Sequence, residues 1–147
     1  MKRIASFEVD HDAMVPGLYL SREDHVGEHI IYTYDIRVVK PNTPPFMTST
    51  QMHSVEHLFA TFLRNNYDDV IYFGPMGCST GFYALFSKAH TLEEIRQRVI
   101  RCCDFIEQYE GKLPGESSKE CGNYKDLNLA DAKGIACRIK HILSTPL

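Results

Sequence analysis

Residues 29–39, HIIYTYDIRVV, alternate between apolar and polar side chains and give the clearest indication of the fold. Every second residue from Ile30 onward is apolar, whereas Thr33, Asp35 and Arg37 occupy intervening positions. Because successive side chains of a strand point to opposite faces, this alternation predicts a β-strand with one buried side. We therefore expect Asp35 and Arg37 to point away from the apolar core.

Three helices are predicted from apolar residues that recur three and four positions apart. The first covers about 51–65 and follows a proline-rich loop that ends at an N-cap, Ser49 or Thr50. The second follows a capping box at its start and covers about 91–110. The third covers about 128–143.

Two short apolar runs, VIYF at 70–73 and FYALF at 82–86, predict two further buried strands. They are joined by GPMGCSTG, whose glycines and proline exclude regular structure and place Cys78 in a turn. The order of these elements predicts an α+β fold, an antiparallel sheet with helices packed on one face. We expect one domain that covers residues 1–147.

The composition is that of an ordinary globular protein, with 44% hydrophobic and 24% charged residues. A net charge of -3 provides no field that attracts phosphate backbones, so we expect no nucleic-acid partner. The sequence has no signal-peptide pattern and no run near the roughly 18 apolar residues of a membrane span. We therefore expect no membrane partner and a cytoplasmic location.

The strongest chemical signal is His53-Ser-Val-Glu-His57, an H-x-x-E-H pattern inside the first predicted helix. Histidines four residues apart share one helix face, with Cβ atoms about 5–6 Å apart, so both imidazoles can reach one metal ion. Glu56 is rotated by about 100° from His57, which places it beside the metal rather than among the ligands. That is the position of a general acid or base.

A catalytic metal site of this kind takes a third protein ligand, a cysteine or a carboxylate, and leaves a position for water or substrate. Cys121, in a polar loop beside a glycine, is the best thiolate candidate. Cys102, Cys103 and Cys137 fall in helical segments, and we interpret them as packing residues. Cys78 is a candidate for catalysis if it has a partner such as the metal. With five cysteines and no C-x-x-C pair, a disulfide framework is not expected.

The remaining histidines give weaker signals. His25, His29, His90 and His141 stand in polar surroundings, and we expect them at the surface. Composition alone leaves the role of His11 open.

Five segments of the sequence are informative in combination, namely SFEVDH, YDIRVVKPN, HSVEHLFATFLRN, GPMGCSTGFY and CGNYKDLNLADAK. Together they resemble the S-ribosylhomocysteine lyase family, also called LuxS or autoinducer-2 synthase. The resemblance covers nearly the whole chain. H-x-x-E-H alone also occurs in unrelated peptidases, but its combination with PMGC-x-TG and CG-x-Y at these separations is highly specific.

The resemblance implies a small homodimeric carbon–sulfur lyase with active sites at the subunit interface. Members split S-ribosyl-L-homocysteine into L-homocysteine and 4,5-dihydroxy-2,3-pentanedione, the precursor of the quorum-sensing signal autoinducer-2. The implied cofactor is one divalent metal per subunit, Fe²⁺ with Zn²⁺ or Co²⁺ as substitutes, held by residues matching His53, His57 and Cys121. Glu56 and Cys78 match the family's acid–base residues. The reaction also recycles a by-product of the methyl cycle.

Ser6, His11 and Arg37 match further active-site residues of the family, and the resemblance assigns them to substrate binding. One segment departs from the pattern, since Tyr72-Phe73-Gly74 stands where many members have an acidic residue and a serine before PMGC. The acidic residue is thought to hold the amino-acid end of the substrate. In this chain that end must be recognised by other groups.

Two other interpretations of the H-x-x-E-H pattern stay open on the residues alone. In a metallopeptidase, Glu56 would activate a metal-bound water against a peptide bond. In a structural metal protein or metal-dependent dimer module, four protein ligands would close the site.

Overall fold

One four-stranded antiparallel sheet, in the order β1-β2-β4-β3, forms the centre of the protein in the computed structural model, which describes residues 1–144. The strands are β1 (Gly17–Val26), β2 (His29–Arg37), β3 (Val70–Pro75) and β4 (Gly81–Phe86). The helices are α1 (Ala5–Glu8), α2 (Ser49–Asn66), α3 (Leu92–Gln108) and α4 (Leu129–Leu143), with a 3₁₀ turn at Tyr124–Asp126. Within the described range, no helix is long and apolar enough to cross a lipid bilayer.

The hydrophobic core lies between one face of the sheet and helices α2, α3 and α4, which confirms the predicted α+β class. A stack of aromatic rings joins the two layers. Phe59 of α2 lies 4.7 Å from Phe73 of β3, and Phe73 lies 5.3 Å from Phe82 of β4, measured between ring centroids. Each fully buried ring contributes about 1.5–3 kcal/mol relative to an exposed one. The stack therefore fixes α2, which carries the H-x-x-E-H pattern, against the sheet.

Helix α2 begins one residue earlier than the predicted N-caps allow, because Thr48 rather than Ser49 or Thr50 is the N-cap. The Thr48 hydroxyl accepts a hydrogen bond from the Gln51 N–H, and the Gln51 side chain accepts one from the Thr48 N–H. This reciprocal capping box satisfies two amide groups at the helix start. Thr50 is thereby free to contact the 3₁₀ turn.

Strand β2 is buried on both faces over its second half, so the prediction of one buried side was wrong there. Thr33, Asp35 and Arg37 are only 5%, 3% and 2% exposed. Arg37 donates hydrogen bonds to both carboxylate oxygens of Asp35 and to the Thr80 hydroxyl. Burial of Asp35 and Arg37 is tolerated because these hydrogen bonds satisfy their charged groups, whereas the Thr33 hydroxyl has no partner among the described residues.

Strand β1 and the short helix α1 were not predicted. β1 is an edge strand that pairs with β2 across a tight turn at Gly27, and a register shift falls between Leu20 and Arg22. Beyond that shift its residues are largely exposed, so the second half has no apolar alternation. α1 has four residues and buries none of them.

Two individual predictions were wrong. His90 is not a surface residue, because its Nε2 lies 2.6 Å from the buried carboxylate of Asp69, which also accepts from Arg98. Cys137 lies in α4 as expected but points outward and is exposed, whereas Cys102 and Cys103 are fully buried packing residues. His25, His29 and His141 are exposed, as predicted.

Candidate metal centre and acid–base site

His53 and His57 of α2 and Cys121 of the loop after α3 come together as a three-donor group. Their ligating atoms all lie within 4.8 Å of one another. The Cys121 sulfur is 3.4 Å from His53 Nε2, and the two imidazole centroids are 4.7 Å apart. Cys121 is therefore the cysteine that the structure places beside the histidine pair.

Hydrogen bonds on the outer nitrogens orient both imidazoles. His57 Nδ1 lies 2.7 Å from the Pro114 carbonyl oxygen, which can only accept, so Nδ1 carries the hydrogen. His53 Nδ1 lies 3.0 Å from an Asp126 carboxylate oxygen. In each ring the lone pair is thereby left on Nε2, the atom available to a metal.

Asp126 is kept as a carboxylate by its neighbours. Its pKa is lowered, first by the hydrogen bond from the Thr50 hydroxyl, against some desolvation, and then by the hydrogen bond and charge of His53. A carboxylate behind a ligating imidazole raises the basicity of the ligand and holds its orientation. Neither Asp126 nor Pro114 was identified from the sequence, because both depend on how the loop folds back onto α2.

The donor set fits a catalytic divalent metal. Two neutral imidazoles and one thiolate suit both Zn²⁺ and Fe²⁺. Within residues 1–144 the group contains three donors. A site with three protein ligands leaves a position for water or substrate, unlike a structural site closed by four.

The loop that supplies Cys121 is shaped by Gly115. This residue has a φ of +74°, a left-handed conformation that side chains disfavour, and a Cβ there would lie 3.0 Å from His57 Nδ1. Further along the loop, the Asn123 N–H lies 3.4 Å from the Cys121 sulfur and donates to it. The loop therefore packs tightly against the ligands at both ends.

Glu56 lies on the same side of the helix as this loop, beside the metal group but outside it. It lines an open cavity of about 270 Å³ with His57, Pro114 and Gly115. The carboxylate is partly exposed.

The structure gathers the other candidate residues at a second location. Cys78 lies in the turn between β3 and β4 and lines a cavity of about 320 Å³ together with Ser6, His11 and Arg37. His11 Nδ1 lies 2.9 Å from the Val9 carbonyl oxygen, so its Nε2 has the free lone pair. All three residues that the resemblance assigned to substrate binding therefore accompany Cys78.

A polar network of Asp35, Arg37 and Thr80 lies directly behind Cys78. Thr80 Oγ1 is 2.8 Å from Arg37 Nη1 and 3.0 Å from the Cys78 sulfur. Burial raises the pKa of Asp35, and the hydrogen bonds and charge of Arg37 oppose that rise without cancelling it. The sequence placed Asp35 and Arg37 on one strand face. Thr80 is the threonine of the PMGC-x-TG motif, but no local pattern indicated that its side chain contacts Arg37.

A neighbouring cavity of about 370 Å³ shares Ser6 and Tyr83 with the Cys78 cavity and extends to Tyr72. Thr33 also lines it, and its hydroxyl is buried without a hydrogen-bond partner among the described residues. A ligand that extends from Cys78 along the sheet would meet hydroxyl groups and the guanidinium of Arg22 here. Glu56 and His57, by contrast, line a cavity elsewhere on the chain.

Comparison with known proteins identifies the family of this chain. The family model described as S-Ribosylhomocysteinase (LuxS) matches residues 4–145. A protein of Finegoldia magna named S-ribosylhomocysteine lyase is 46% identical over 134 residues, which cover 90% of this chain and 86% of the relative. A protein of the same name from Clostridium beijerinckii is 45% identical over 139 residues, covering 92% and 87%. One from Borrelia garinii is 40% identical over 147 residues, covering 98% and 94%.

Proposed function

Because the chain belongs to the S-ribosylhomocysteinase (LuxS) family, we propose that it is a metal-dependent carbon–sulfur lyase acting on S-ribosyl-L-homocysteine. The products are L-homocysteine and 4,5-dihydroxy-2,3-pentanedione, the autoinducer-2 precursor. The observation that carries the proposal is the group of His53, His57 and Cys121, whose donor atoms lie within 4.8 Å of one another next to Glu56. Family membership favours this reaction over peptide hydrolysis, although both chemistries use an H-x-x-E-H helix.

His53, His57 and Cys121 would hold one divalent metal, and we propose Fe²⁺, with Zn²⁺ or Co²⁺ able to replace it. When bound, the metal supplies Lewis acidity that stabilises negative charge on a sugar oxygen. The hydrogen bonds from Nδ1 of each histidine, to Pro114 and Asp126, keep the Nε2 atoms directed at that position.

Glu56 and Cys78 would perform the proton transfers. Removing the proton from C2 of the open-chain sugar and returning one to C1 moves the carbonyl from C1 to C2. A second transfer, from C3 to C2, moves it to C3. Removing the C4 proton then expels the thioether sulfur from C5 as the homocysteine thiol, and the enol left at C4 and C5 takes up a proton at C5 to give the diketone. The sequence consumes no water and involves no net oxidation, so two acid–base residues on opposite sides of the sugar are sufficient.

We propose that a second copy of the chain completes each active site. Glu56 and the metal group line one cavity, whereas Cys78 lines another with Ser6 and His11. Exposed apolar side chains border the Cys78 cavity and its neighbours, among them Ile4, Phe7, Phe46 and Tyr72. Apolar patches of this kind are typical of protein interfaces, and a two-fold dimer would cover them on both subunits.

The substrate would be positioned by Ser6, His11 and Arg37, which line the Cys78 cavity. Its amino-acid end would extend into the adjoining cavity, toward the hydroxyl groups of Tyr72 and Thr33. Hydroxyl groups there, together with the Arg22 guanidinium that also lines the cavity, would take the place of the acidic residue that many family members have. We further propose a cytoplasmic location.

The test is thiol release from S-ribosylhomocysteine by protein purified without oxygen and loaded with Fe²⁺ or Co²⁺. We expect turnover that disappears when the metal is removed. Cys78→Ala should keep one metal per chain and lose turnover. Thiol release undiminished in Cys78→Ala would refute the role of that residue, and release by the metal-free protein would refute the role of the metal.

A further inference from the structure

We propose that Thr80 is a positioning residue that favours the thiolate form of Cys78 by accepting a hydrogen bond from Arg37 and donating its own hydrogen to the sulfur. The inference deepens the proposed function, since it rests on Cys78 as an acid–base group. It concerns a threonine that no comparison names and that the sequence did not identify as part of the site.

The direction of the hydrogen bonds follows from the chemistry of the three groups. A guanidinium has donors only, so at 2.8 Å Arg37 Nη1 donates and Thr80 Oγ1 accepts. The Thr80 hydroxyl then has one hydrogen left to donate. Among the described residues, the other recorded partner of Oγ1 is the Cys78 sulfur at 3.0 Å. The hydroxyl hydrogen therefore points at the sulfur.

A sulfur that receives this hydrogen bond is best satisfied as a thiolate. Because Cys78 is exposed, a protonated thiol could accept the same bond with its own hydrogen turned to solvent, but its neutral sulfur is the weaker acceptor. Hydrogen bonds donated to an ionised acceptor are stronger than those to a neutral one, so the arrangement favours the anion. Arg37 Nη1, 3.9 Å from the sulfur, adds a positive charge on the same side.

Asp35 prevents the guanidinium from turning away from Thr80. Its two carboxylate oxygens accept from Arg37 Nε and Nη2, which leaves Nη1 directed at the turn. Both side chains are almost fully buried, so neither has an alternative partner in water. One continuous series of contacts therefore runs from β2 to the exposed sulfur, through Asp35, Arg37, Thr80 and Cys78.

The groups around the sulfur from other elements are few. His11 lines the same cavity from the segment after α1, and Tyr83 lines it from β4. Burial, followed by the charge of Asp35, raises the pKa of Tyr83, so its phenol stays neutral near pH 7. Among the described residues of the same chain, Arg37 is thus the permanent charge nearest the sulfur, and Thr80 transmits its polarity. The metal group and Glu56 of the partner subunit, which the proposed dimer brings to the same site, are unchanged in the Thr80 variants and so cancel from the comparison.

The alternative is that the Thr80 hydroxyl only satisfies a buried arginine. The backbone of Thr80 does have a structural role, because its carbonyl accepts from the N–H groups of Val38 and Val39 at 2.9 Å each. Those bonds do not involve the side chain. Thr80→Val keeps the branched shape and removes the hydroxyl, whereas Thr80→Ser keeps the hydroxyl and removes a methyl group. The pair separates the two roles.

The experiment measures alkylation of Cys78 by iodoacetamide across pH 5–10 in the metal-loaded protein, followed by mass spectrometry of the Cys78 peptide. The thiolate sulfur displaces iodide, so the rate follows the thiolate fraction. We expect Thr80→Val to move the midpoint upward by about one pH unit, with about tenfold slower alkylation at low pH. Thr80→Ser should keep the wild-type profile. The exposed Cys137, on α4, is the internal reference and should not change.

A Thr80→Val profile that matches the wild type in folded protein would overturn the proposal, and so would a Thr80→Ser profile shifted as far as that of Thr80→Val. If Thr80→Val does not fold, Thr80→Ala removes the same hydroxyl with less bulk and is held to the same expectation. The assay needs no substrate. A protein with the predicted shift that releases no thiol from S-ribosylhomocysteine would refute the proposed function and leave this inference standing.

Discussion

The phenol oxygen of Tyr72 lies 2.0 Å from the position that a Cβ atom would take at Gly74. The position of the Tyr72 ring therefore requires glycine at position 74, because any larger residue there must displace the ring. Tyr72 is 48% exposed and can swing outward. Both residues belong to Tyr72-Phe73-Gly74, the segment that departs from the expected family pattern, and their contact couples the two positions.

We expect Gly74→Ser to alter substrate binding more than stability. Since the clash involves the far end of an exposed side chain, the free energy of unfolding should change by less than about 1 kcal/mol. Loss of the Tyr72 hydroxyl from its cavity should raise KM about fivefold, the equivalent of one neutral hydrogen bond. In a Tyr72→Ala background the same substitution should have no further effect on KM. Fully additive effects in this double-mutant cycle would show that the two positions act independently.

Gly115→Ala should weaken metal binding through His57. The substitution forces a side chain into a left-handed backbone position and brings Cβ within 3.0 Å of His57 Nδ1. Gly111→Ala is the matched control, because Gly111 also has a positive φ, +91°, but its Cβ would meet no atom within 4 Å. Metal content after dialysis against a weak chelator should fall for Gly115→Ala alone. Equal loss in both variants would attribute the effect to backbone strain.

The ion-pair network around Asp69 should make the free energy of unfolding depend on pH in the acidic range. Burial by itself would raise the pKa of Asp69, but hydrogen bonds from His90 and Arg98 outweigh it and the pKa is lowered. The folded state thus binds fewer protons than the unfolded state. This contribution is present above the unfolded pKa of about 3.9 and is lost as the pH falls through the lower folded value. Denaturant unfolding should show Asp69→Asn about 2 kcal/mol less stable than wild type at pH 7.

That difference should shrink as the pH falls below about 4, because protonation of Asp69 in the wild type removes the same charge. Asp68→Asn is the control. Asp68 is an adjacent carboxylate that is largely exposed and pairs with Lys88 at the surface. It should change stability little at any pH. A difference between Asp69→Asn and wild type that does not vary with pH would contradict the assignment.

Local sequence patterns predicted those elements of the structure that are determined by neighbouring residues in the chain. The capping box at Thr91 and the apolar spacing of α2 are set by neighbouring residues. The His53–His57 pair follows from helix geometry in the same way. Strand β1 was missed because its second half is an exposed edge, held by pairing with β2 rather than by its own apolar pattern.

Contacts between distant segments explain the remaining differences. His90 has a polar sequence neighbourhood, and only the pairing of β3 with β4 places Asp69, just before β3, against His90, just after β4. The same is true of Asp126 behind His53 and of Thr80 behind Cys78. Cys121 was chosen from several cysteines on its loop context and family resemblance, since a separation of 68 positions from His53 contains no periodic signal.

Mixing two inactive variants tests whether each active site draws on two subunits. His57→Ala removes a ligand, and Cys78→Ala removes the acid–base thiol. If the metal group of one subunit works with the Cys78 of the other, re-associated mixtures should regain about a quarter of wild-type activity, because half of the dimers are mixed and each has one intact site. His57→Ala mixed with Glu56→Gln should regain none. Mixed dimers that form but stay inactive in the first pair would contradict an interfacial site.

The most direct test of the central claim is the stoichiometry of products from S-ribosylhomocysteine with the Fe²⁺-loaded protein. Free thiol would be measured with a colorimetric disulfide, and the vicinal diketone would be trapped with an aromatic 1,2-diamine and quantified by mass spectrometry. Carbonyl migration followed by β-elimination predicts one diketone for every thiol released, with both absent in Cys78→Ala. Thiol release without the diketone would show hydrolysis of the thioether instead, and would contradict the account of how Glu56 and Cys78 act.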